Sequence, residues 1–203
     1  AFVKTGSGSL TLSGANTHTG STTITQGTLT VSGSLADTNQ VSVASGATYK
    51  VDASDTVGSI EGAGSITTAA GSGSVVLTAD MDVSLNKTFS GVMSDGSSAS
   101  LAFVKTGSGS LTLSGVNTFI GGTTLRAGTL TLSSGSDRLA TAGNLTINGG
   151  TLALGANDQT VASLSVTDGN VTGSGTLSSS AYTIDVAAGR TLTFSNPITG
   201  STQ

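Results

Sequence analysis

The sequence is poor in the side chains from which most active sites are built. Its 203 residues include no cysteine, no tryptophan, one proline (Pro197) and one histidine (His18). Zinc is excluded, because one histidine without cysteine cannot supply its usual nitrogen and sulfur ligands. A Ser/His/Asp or Cys/His catalytic device would have to use His18, whose counterpart in an internal repeat is Phe119. We therefore expect no catalytic residue of this kind and no cofactor.

Charged residues are also scarce. They make up 9% of the chain, whereas globular proteins have about 25%. Seven Lys and Arg residues and a net charge of −4 argue against a nucleic-acid partner, which needs a clustered basic surface. No apolar run approaches the roughly 20 residues of a membrane-spanning helix, so we expect a chain that does not span a membrane. The mean hydropathy of +0.21 and the low net charge are not typical of a disordered chain.

A long internal repeat is the clearest feature that is present. The stretch AFVKTGSGSLTLSG occurs at residues 1–14 and again, without a change, at residues 102–115. The identity extends to 24 of the 32 positions that start at these two points. Weaker similarity continues beyond, which predicts two repeat units, residues 1–101 and 102–203, that are continuous with one another.

Within each unit, apolar and polar residues alternate. Stretches such as SLTLSG, TLTVSG and VSVASG place Leu, Ile or Val at every second position, with Ser or Thr between them. Alternation over four to six residues, bounded by Gly, Asn or Asp, predicts half-buried strands. Helical periodicity is missing, and glycine disfavours helices by about 1 kcal/mol per residue. The sequence therefore predicts an all-β protein.

The similarity of successive short strands favours a β-solenoid. Each strand is too thin to bury its apolar row alone, so stacked units must build one narrow core. Such a core has little room for large rings, which agrees with the 3% of aromatic residues. At about 20–25 residues per coil we expect a single elongated rod of roughly eight to ten coils, about 40–50 Å long.

The repeat also resembles a known family. Residues 4–33 and 105–135 both contain, in order, a lysine, Gly-x-Gly-x-Leu-x-Leu-x-Gly, Asn-Thr, Gly-x-Thr-Thr and Gly-Thr-Leu-x-Val/Leu. This order resembles the autotransporter-associated β-strand repeat, or passenger-associated transport repeat, of bacterial type V secreted proteins. The resemblance implies a right-handed parallel β-helix, export through the cell envelope, and support of secretion and folding rather than catalysis. The structural repeat residues it marks are Lys4, Gly6, Gly8, Leu10, Leu12 and Gly14, and then Lys105, Gly107, Gly109, Leu111, Leu113 and Gly115.

The alternation assigns directions to these residues. Leu10 and Leu12 are predicted to face the core and Thr11 to face solvent. The Gly-x-Gly that precedes them opens a strand, whereas a phosphate-binding loop opens a helix, so we interpret it as a turn. Lys4 and Lys105 are then expected to be surface residues that flank this turn.

Two pairs of carboxylates are the remaining candidates for chemistry. Asp52 and Asp55 form one pair, and Asp80 and Asp82 form another. The spacing of Asp80 and Asp82 places both on one face of a strand, where they could form a glycosidase pair or a weak calcium site. Neither pair has an arginine or tryptophan beside it to hold a sugar, so we favour solvated carboxylates.

These observations lead to a functional hypothesis. We expect a non-enzymatic β-helical stalk segment of a secreted or surface-displayed bacterial protein, acting in adhesion or display. The alternatives are an extracellular filament subunit that stacks end to end and, less favoured, a polysaccharide-acting enzyme. Expected partners are other protein molecules or the rest of its own chain at the solenoid ends, and host or cell-surface receptors or glycans.

The two copies differ at His18/Phe119 and Thr25/Arg126, and these positions are the predicted places for binding specificity. We also expect the chain to be a segment of a longer or processed protein.

Overall fold

The architecture consists of β-strands joined by short corners. The structure is a computed structural model that describes residues 1–68, 73–82, 84–186, 188–189, 191–195 and 197–200. In these residues every regular element is a strand, so the prediction of an all-β protein is confirmed. None of the described residues forms a helix long and apolar enough to span a membrane.

Most strands contain only three or four residues. In the first half of the chain they are β1 (Phe2–Lys4), β2 (Ser9–Leu12), β3 (Thr22–Ile24), β4 (Thr28–Val31), β5 (Gln40–Val43), β6 (Thr48–Val51), β7 (Asp55–Val57), β8 (Ser59–Gly62), β9 (Ser65–Thr68), β10 (Gly73–Asp80), β11 (Asn86–Phe89) and β12 (Val92–Ser94). In the second half they are β13 (Ala99–Thr106), β14 (Ser110–Leu113), β15 (Thr123–Leu125), β16 (Thr129–Leu132), β17 (Asn144–Gly155), β18 (Gln159–Val161), β19 (Ser163–Gly173), β20 (Leu177–Ser179), β21 (Tyr182–Ile184), β22 (Thr193–Phe194) and β23 (Ile198–Gly200).

The strands stack in parallel on three sides of a coil. The first side contains β1, β3, β5, β8, β11, β14, β16, the second halves of β17 and β19, and β22. The second side contains β2, β4, β6, β9 and β12, and later β18, β20 and β23. The third side contains β7, β10, β13, β15, the first halves of β17 and β19, and β21. The predicted β-solenoid is therefore confirmed, with about ten coils.

Alternation of side chains explains both the strands and the core. In β16, Leu130 and Leu132 are buried while the threonines before them are partly exposed. Thr tolerates the solvated side because it is β-branched and suits an extended backbone. The same pattern of one buried residue after one partly exposed residue occurs in β4, β5, β6 and β14.

Apolar residues lie directly above one another from coil to coil. Leu111 pairs with Leu130, Leu130 with Leu152, and Leu152 with Val171. All four side chains are buried, and burial of each contributes about 1.5–3 kcal/mol relative to exposure. The predicted stacking of Leu on Leu is thus the core of the rod.

The two sequence copies do not lie on the same sides of the coil. In the first copy, FVK forms β1 on the first side and SLTL forms β2 on the second side. In the second copy, the same residues form part of β13 on the third side and β14 on the first side. The offset of 101 residues is therefore not a whole number of coils, and the second copy is rotated by one side. The boundary between the two sequence units lies inside β13.

The end of the rod changes the burial of the first copy. Leu111 is 0% exposed, whereas the identical residue Leu10 is 38% exposed. The reason is that β11 pairs with β14 on the side away from β16, while β2 pairs with β4 alone in the described structure. Leu10 lies on the same face as the buried Leu29, in the predicted direction, and is exposed because no described strand covers β2 on its other edge.

Replacement of these two leucines separates the effect of sequence from that of position. We expect Leu111→Ala to lower the free energy of unfolding by about 2–5 kcal/mol, because it leaves a cavity between two packed coils. Leu10→Ala, the matched change at the open end, should cost only about 1 kcal/mol. Urea unfolding followed by circular dichroism measures both, with the denaturant slope checked for constancy. Equal costs would show that stacking does not control stability.

Candidate functional site

Each copy of the repeat places a lysine inside a corner of the coil. Lys105 is fully buried, and its ammonium Nζ donates hydrogen bonds to the carbonyl oxygens of Thr106 (2.7 Å), Gly107 (2.9 Å) and Ala127 (3.3 Å). Two of these carbonyls belong to its own corner and the third belongs to the corner of the next coil. All three donors of the ammonium are thus used to join two stacked corners.

Lys4 makes the same three contacts in the first copy. Its Nζ donates to the carbonyl oxygens of Thr5 (2.8 Å), Gly6 (2.7 Å) and Gln26 (3.1 Å). We call each such arrangement a lysine corner. Because the copies are rotated by one side, the two lysine corners occupy different edges of the coil.

The expectation that Lys4 and Lys105 are surface residues is wrong. Both lie on the buried side of their strands, because the alternation that turns Phe2 inward also turns Lys4 inward. In the column above them the corresponding residues are Ile24 and Leu125. A buried ammonium is tolerated only where it is hydrogen-bonded, and the corner carbonyls meet that need.

The electrostatics of Lys105 follow from its position. Burial lowers the pKa of its ammonium from 10.5 to about 8, and the nearby carboxylate of Asp80 acts in the opposite direction. Burial of the charged ammonium therefore costs free energy, and the ammonium is held in place by its hydrogen bonds to three backbone carbonyls.

The asparagine of the motif is a second link between coils. Asn117 is buried, and its Oδ1 accepts a hydrogen bond from the backbone N–H of Met93 at 2.8 Å. Its Nδ2 donates to the carbonyl oxygens of Arg138 (2.6 Å) and Gly115 (3.3 Å). One side chain thus connects three consecutive coils.

Asn16 repeats part of this arrangement. Its Nδ2 donates to the carbonyl oxygens of Gly14 (2.8 Å) and Ser34 (2.9 Å), which belong to its own coil and to the next coil. In both copies the asparagine lies on a side of the coil that has no strand, so it takes over hydrogen bonds that a strand ladder would have made.

Further links of this kind occur outside the motif. Gln159 accepts from the N–H of Leu139 (2.8 Å) and donates to its carbonyl oxygen (3.2 Å), as a neighbouring strand would. The carboxylate of Asp95 accepts the N–H groups of Leu101 (2.7 Å) and Ile120 (3.0 Å). Sequence reasoning missed these residues, because an isolated Gln or Asp carries no signal until the length of a coil is known.

The glycines of the motif permit close contact between coils. A Cβ atom on Gly109 would collide with the carbonyl oxygen of Asp82, and one on Gly115 would collide with that of Gly91. Gly107 has a φ of +68°, a left-handed conformation that favours glycine. The predicted turn at Lys-Thr-Gly-Ser-Gly is present, and its glycines are required by the neighbouring coil.

The carboxylate pair Asp80 and Asp82 faces solvent, with Met81 buried between them, as predicted. Asp82 accepts hydrogen bonds from the backbone N–H (3.0 Å) and the hydroxyl (3.1 Å) of Ser84, which lower its pKa. Both aspartates line a surface cavity of about 470 Å³ together with Asp37. In the described part of the chain no group of three or more His, Cys, Asp or Glu residues could hold a metal ion.

The second predicted pair divides between two environments. Asp55 is buried, and its carboxylate accepts the backbone N–H groups of Leu35 and Thr56, each at 3.1 Å. Burial raises its pKa. Asp52 is only partly buried. Asp55 therefore serves as a backbone acceptor inside the rod, like the asparagines and Gln159.

The positions that differ between the copies are not equally accessible. Phe119 is buried, while His18 is partly exposed, with its Nε2 2.9 Å from the hydroxyl of Thr22. Thr25 and Arg126 are both exposed. A role in binding specificity stays a prediction for Thr25/Arg126, and Phe119 contributes to the core instead.

Comparison with known families agrees with this arrangement. Three segments of the chain, residues 2–31, 103–132 and 127–154, match the passenger-associated transport repeat. The first two matches each include a lysine corner and a linking asparagine, whereas the third, which overlaps the second, contains no lysine.

One relative is an adhesin. Over 95 residues, which are 47% of this chain, the sequence is 40% identical to the adhesin BmaC autotransporter of Brucella suis biovar 1 (strain 1330). The match spans 3% of the length of that protein. No solved structure matches the chain significantly.

The buried ammonium predicts a dependence of stability on pH. Between pH 8 and 10.5 the unfolded chain carries a proton on Lys105 that the folded chain has lost. The free energy of unfolding should therefore rise through this window relative to Lys105→Met, by up to about 3 kcal/mol, and the difference should be flat below pH 7. Urea unfolding of both proteins from pH 6 to 10.5 tests this, and parallel curves over the whole range would contradict it.

The asparagine links predict a second matched pair. Asn117→Ala leaves the buried N–H of Met93 without its acceptor and removes the shorter of two hydrogen bonds to the carbonyl of Arg138, so the free energy of unfolding should fall by about 2–3 kcal/mol. Asn16→Ala removes the same side chain at the open end and should cost about 1 kcal/mol. Thermal and urea unfolding give both values. A larger loss of unfolding free energy for Asn16→Ala than for Asn117→Ala would mean that the hydrogen bond between Asn117 and Met93 does not contribute to stability.

Proposed function

We propose that this chain is a non-enzymatic structural segment of an exported autotransporter passenger. It forms a β-solenoid stalk that acts in adhesion or display and supports the secretion and folding of its own chain. The observation that carries this proposal is the lysine corner, because the same sequence builds the same cross-link at two different edges of the coil. The buried polar side chains of the motif bind backbone and leave no converging groups for a substrate.

Because the repeat sequence contains the residues of its own lysine corner, coils can be added to the folded rod one after another. Each coil contacts the coil before it and the coil after it, as in other solenoids. Lys105 and Asn117 reach forward to the next coil, so the coil that follows each repeat motif finds side-chain donors already in place. Folding that proceeds coil by coil suits a chain that emerges progressively from a membrane.

The presence of passenger repeats supports a location at the cell surface or outside the cell. The similarity to an autotransporter adhesin supports adhesion as the role of the displayed rod. The expected receptors or glycans, and the filament of end-to-end subunits, stay predictions.

Surface display of the chain tests the proposal. Residues 1–203 would be placed, with an N-terminal epitope tag, between an export signal and the translocator of an autotransporter without its own passenger. We expect the tag to be labelled on intact bacteria, the rod to resist added protease, and the cells to bind host-cell layers more than cells that carry the translocator alone. Gly115→Val, which breaks the stacking, should abolish protease resistance and reduce display.

Two results would contradict this function. The first is a displayed, folded rod that adds nothing to adhesion and does not extend the tag from the surface. The second is release of sugar from a polysaccharide panel that disappears in Asp80→Asn/Asp82→Asn, since that result would assign an enzyme.

A further inference from the structure

One corner in the second half of the chain contains a chemically reactive pair of residues. Asn148 is the only asparagine in the sequence that is followed by glycine. An asparagine in this position can lose its side-chain amide, because the backbone nitrogen of a glycine is not shielded by a side chain. Two features of the fold bear on this reaction, which are the need for glycine at residue 149 and the surroundings of the Asn148 side chain.

Gly149 is required by the contact between stacked corners. A Cβ atom at this position would collide with the carbonyl oxygen of Arg126 in the preceding coil. The next residue, Gly150, has a φ of +72°, a left-handed conformation that favours glycine. The close spacing of the coils therefore places an unshielded backbone nitrogen directly after Asn148.

The side chain of Asn148 is exposed, and its amide makes no hydrogen bond to any of the described residues. By contrast, the side-chain amides of Asn117 and Asn157 donate to backbone carbonyls. The ladder to the preceding coil is also interrupted here, since it ends at Ile147 and resumes at Thr151. The amide of Asn148 is thus free to turn toward the backbone nitrogen that follows it.

We propose that Asn148 and Gly149 form a site of spontaneous deamidation in the folded rod. The backbone nitrogen of Gly149 loses its proton to hydroxide and attacks Cγ of Asn148. A carbon–nitrogen bond forms, the bond from Cγ to the side-chain nitrogen breaks, and that nitrogen takes a proton from water and leaves as ammonia. Water then opens the succinimide ring at either carbonyl, which gives aspartate or isoaspartate. One water is consumed and one ammonia is released, so no oxidant or reductant is needed.

The product of this reaction carries a new negative charge. Asn148 pairs with Asp168 of the next coil, so deamidation places two carboxylates opposite one another, an arrangement that destabilises paired strands. Isoaspartate also adds a carbon atom to the main chain, at a corner where the carbonyl of Arg126 leaves no spare room. Deamidation therefore loosens the contact between this corner and its neighbours.

Incubation of the full chain at mildly alkaline pH tests the proposal, with peptide mapping and enzymatic methylation of isoaspartate as the readouts. Asn86 is the matched internal control, because it is exposed but is followed by lysine. Deamidation at residue 148 should be at least about tenfold faster than at Asn86, which corresponds to about 1.4 kcal/mol in activation free energy. It should slow in mildly acidic buffer and be undetectable in Asn148→Gln, whose longer side chain closes a ring less readily.

The melting temperature tests the effect on the rod. It should fall during the incubation in the original chain and stay constant in Asn148→Gln. Asn148→Asp, which introduces the charge at once, should lower it by about 1–4 °C, and an unchanged value would refute the loosening of the corner. Isoaspartate that forms only after the chain is unfolded in urea would overturn the proposal, because the folded corner would then prevent ring closure. Equal rates at Asn148 and Asn86 would also overturn it.

Discussion

The fold depends on one constraint, which is that neighbouring coils must lie one strand spacing apart, about 4.8 Å, at the corners as well as on the sides. On the sides the parallel ladders meet this constraint with backbone hydrogen bonds. At the two lysine corners the ladder is interrupted, and backbone carbonyls of two stacked coils accept hydrogen bonds from an ammonium group instead. Glycine lets the backbones approach, and Lys4 and Lys105 supply the donors.

Because the lysine corner is encoded locally, it is independent of its place on the coil. The first copy forms it between the first and second sides, and the second copy forms it between the third and first sides. A sequence repeat of 101 residues can therefore persist without matching a whole number of coils. What must be kept is the contact between a corner and the corner above it, and Gln26 and Ala127 show that residues of different types can provide the accepting carbonyl.

The sequence predicted the features that depend on local alternation, and missed those that depend on the length of a coil. The inward direction of Leu111 and Leu113 follows from period two alone. The partners of Lys105 and Asn117 lie 22 and 21 residues ahead, an offset that emerges only when the coil is closed. Phe2 and Lys4 are two residues apart in a strand, so the alternation that turns Phe2 inward also predicts an inward Lys4. Lysine is rarely buried, and a surface position beside the turn is therefore the simpler interpretation of the sequence alone. The burial of Leu10 could not be predicted at all, since it is set by a neighbouring coil.

These constraints also determine where the sequence of the rod can vary. Inside the rod, each apolar side chain must pack against the side chains of the neighbouring coils. Phe119 and Leu125 can therefore be replaced only by residues that fill the same space. Outside, the sides without a strand are free of the ladder, and there the second copy exposes Val116 and Ile120 where the first has Ala15 and Thr19. Changes at such positions alter the surface chemistry without disturbing the stack. A rod built in this way can carry different surface residues on one scaffold, because the residues that hold the stack together and the residues that face solvent occupy separate positions.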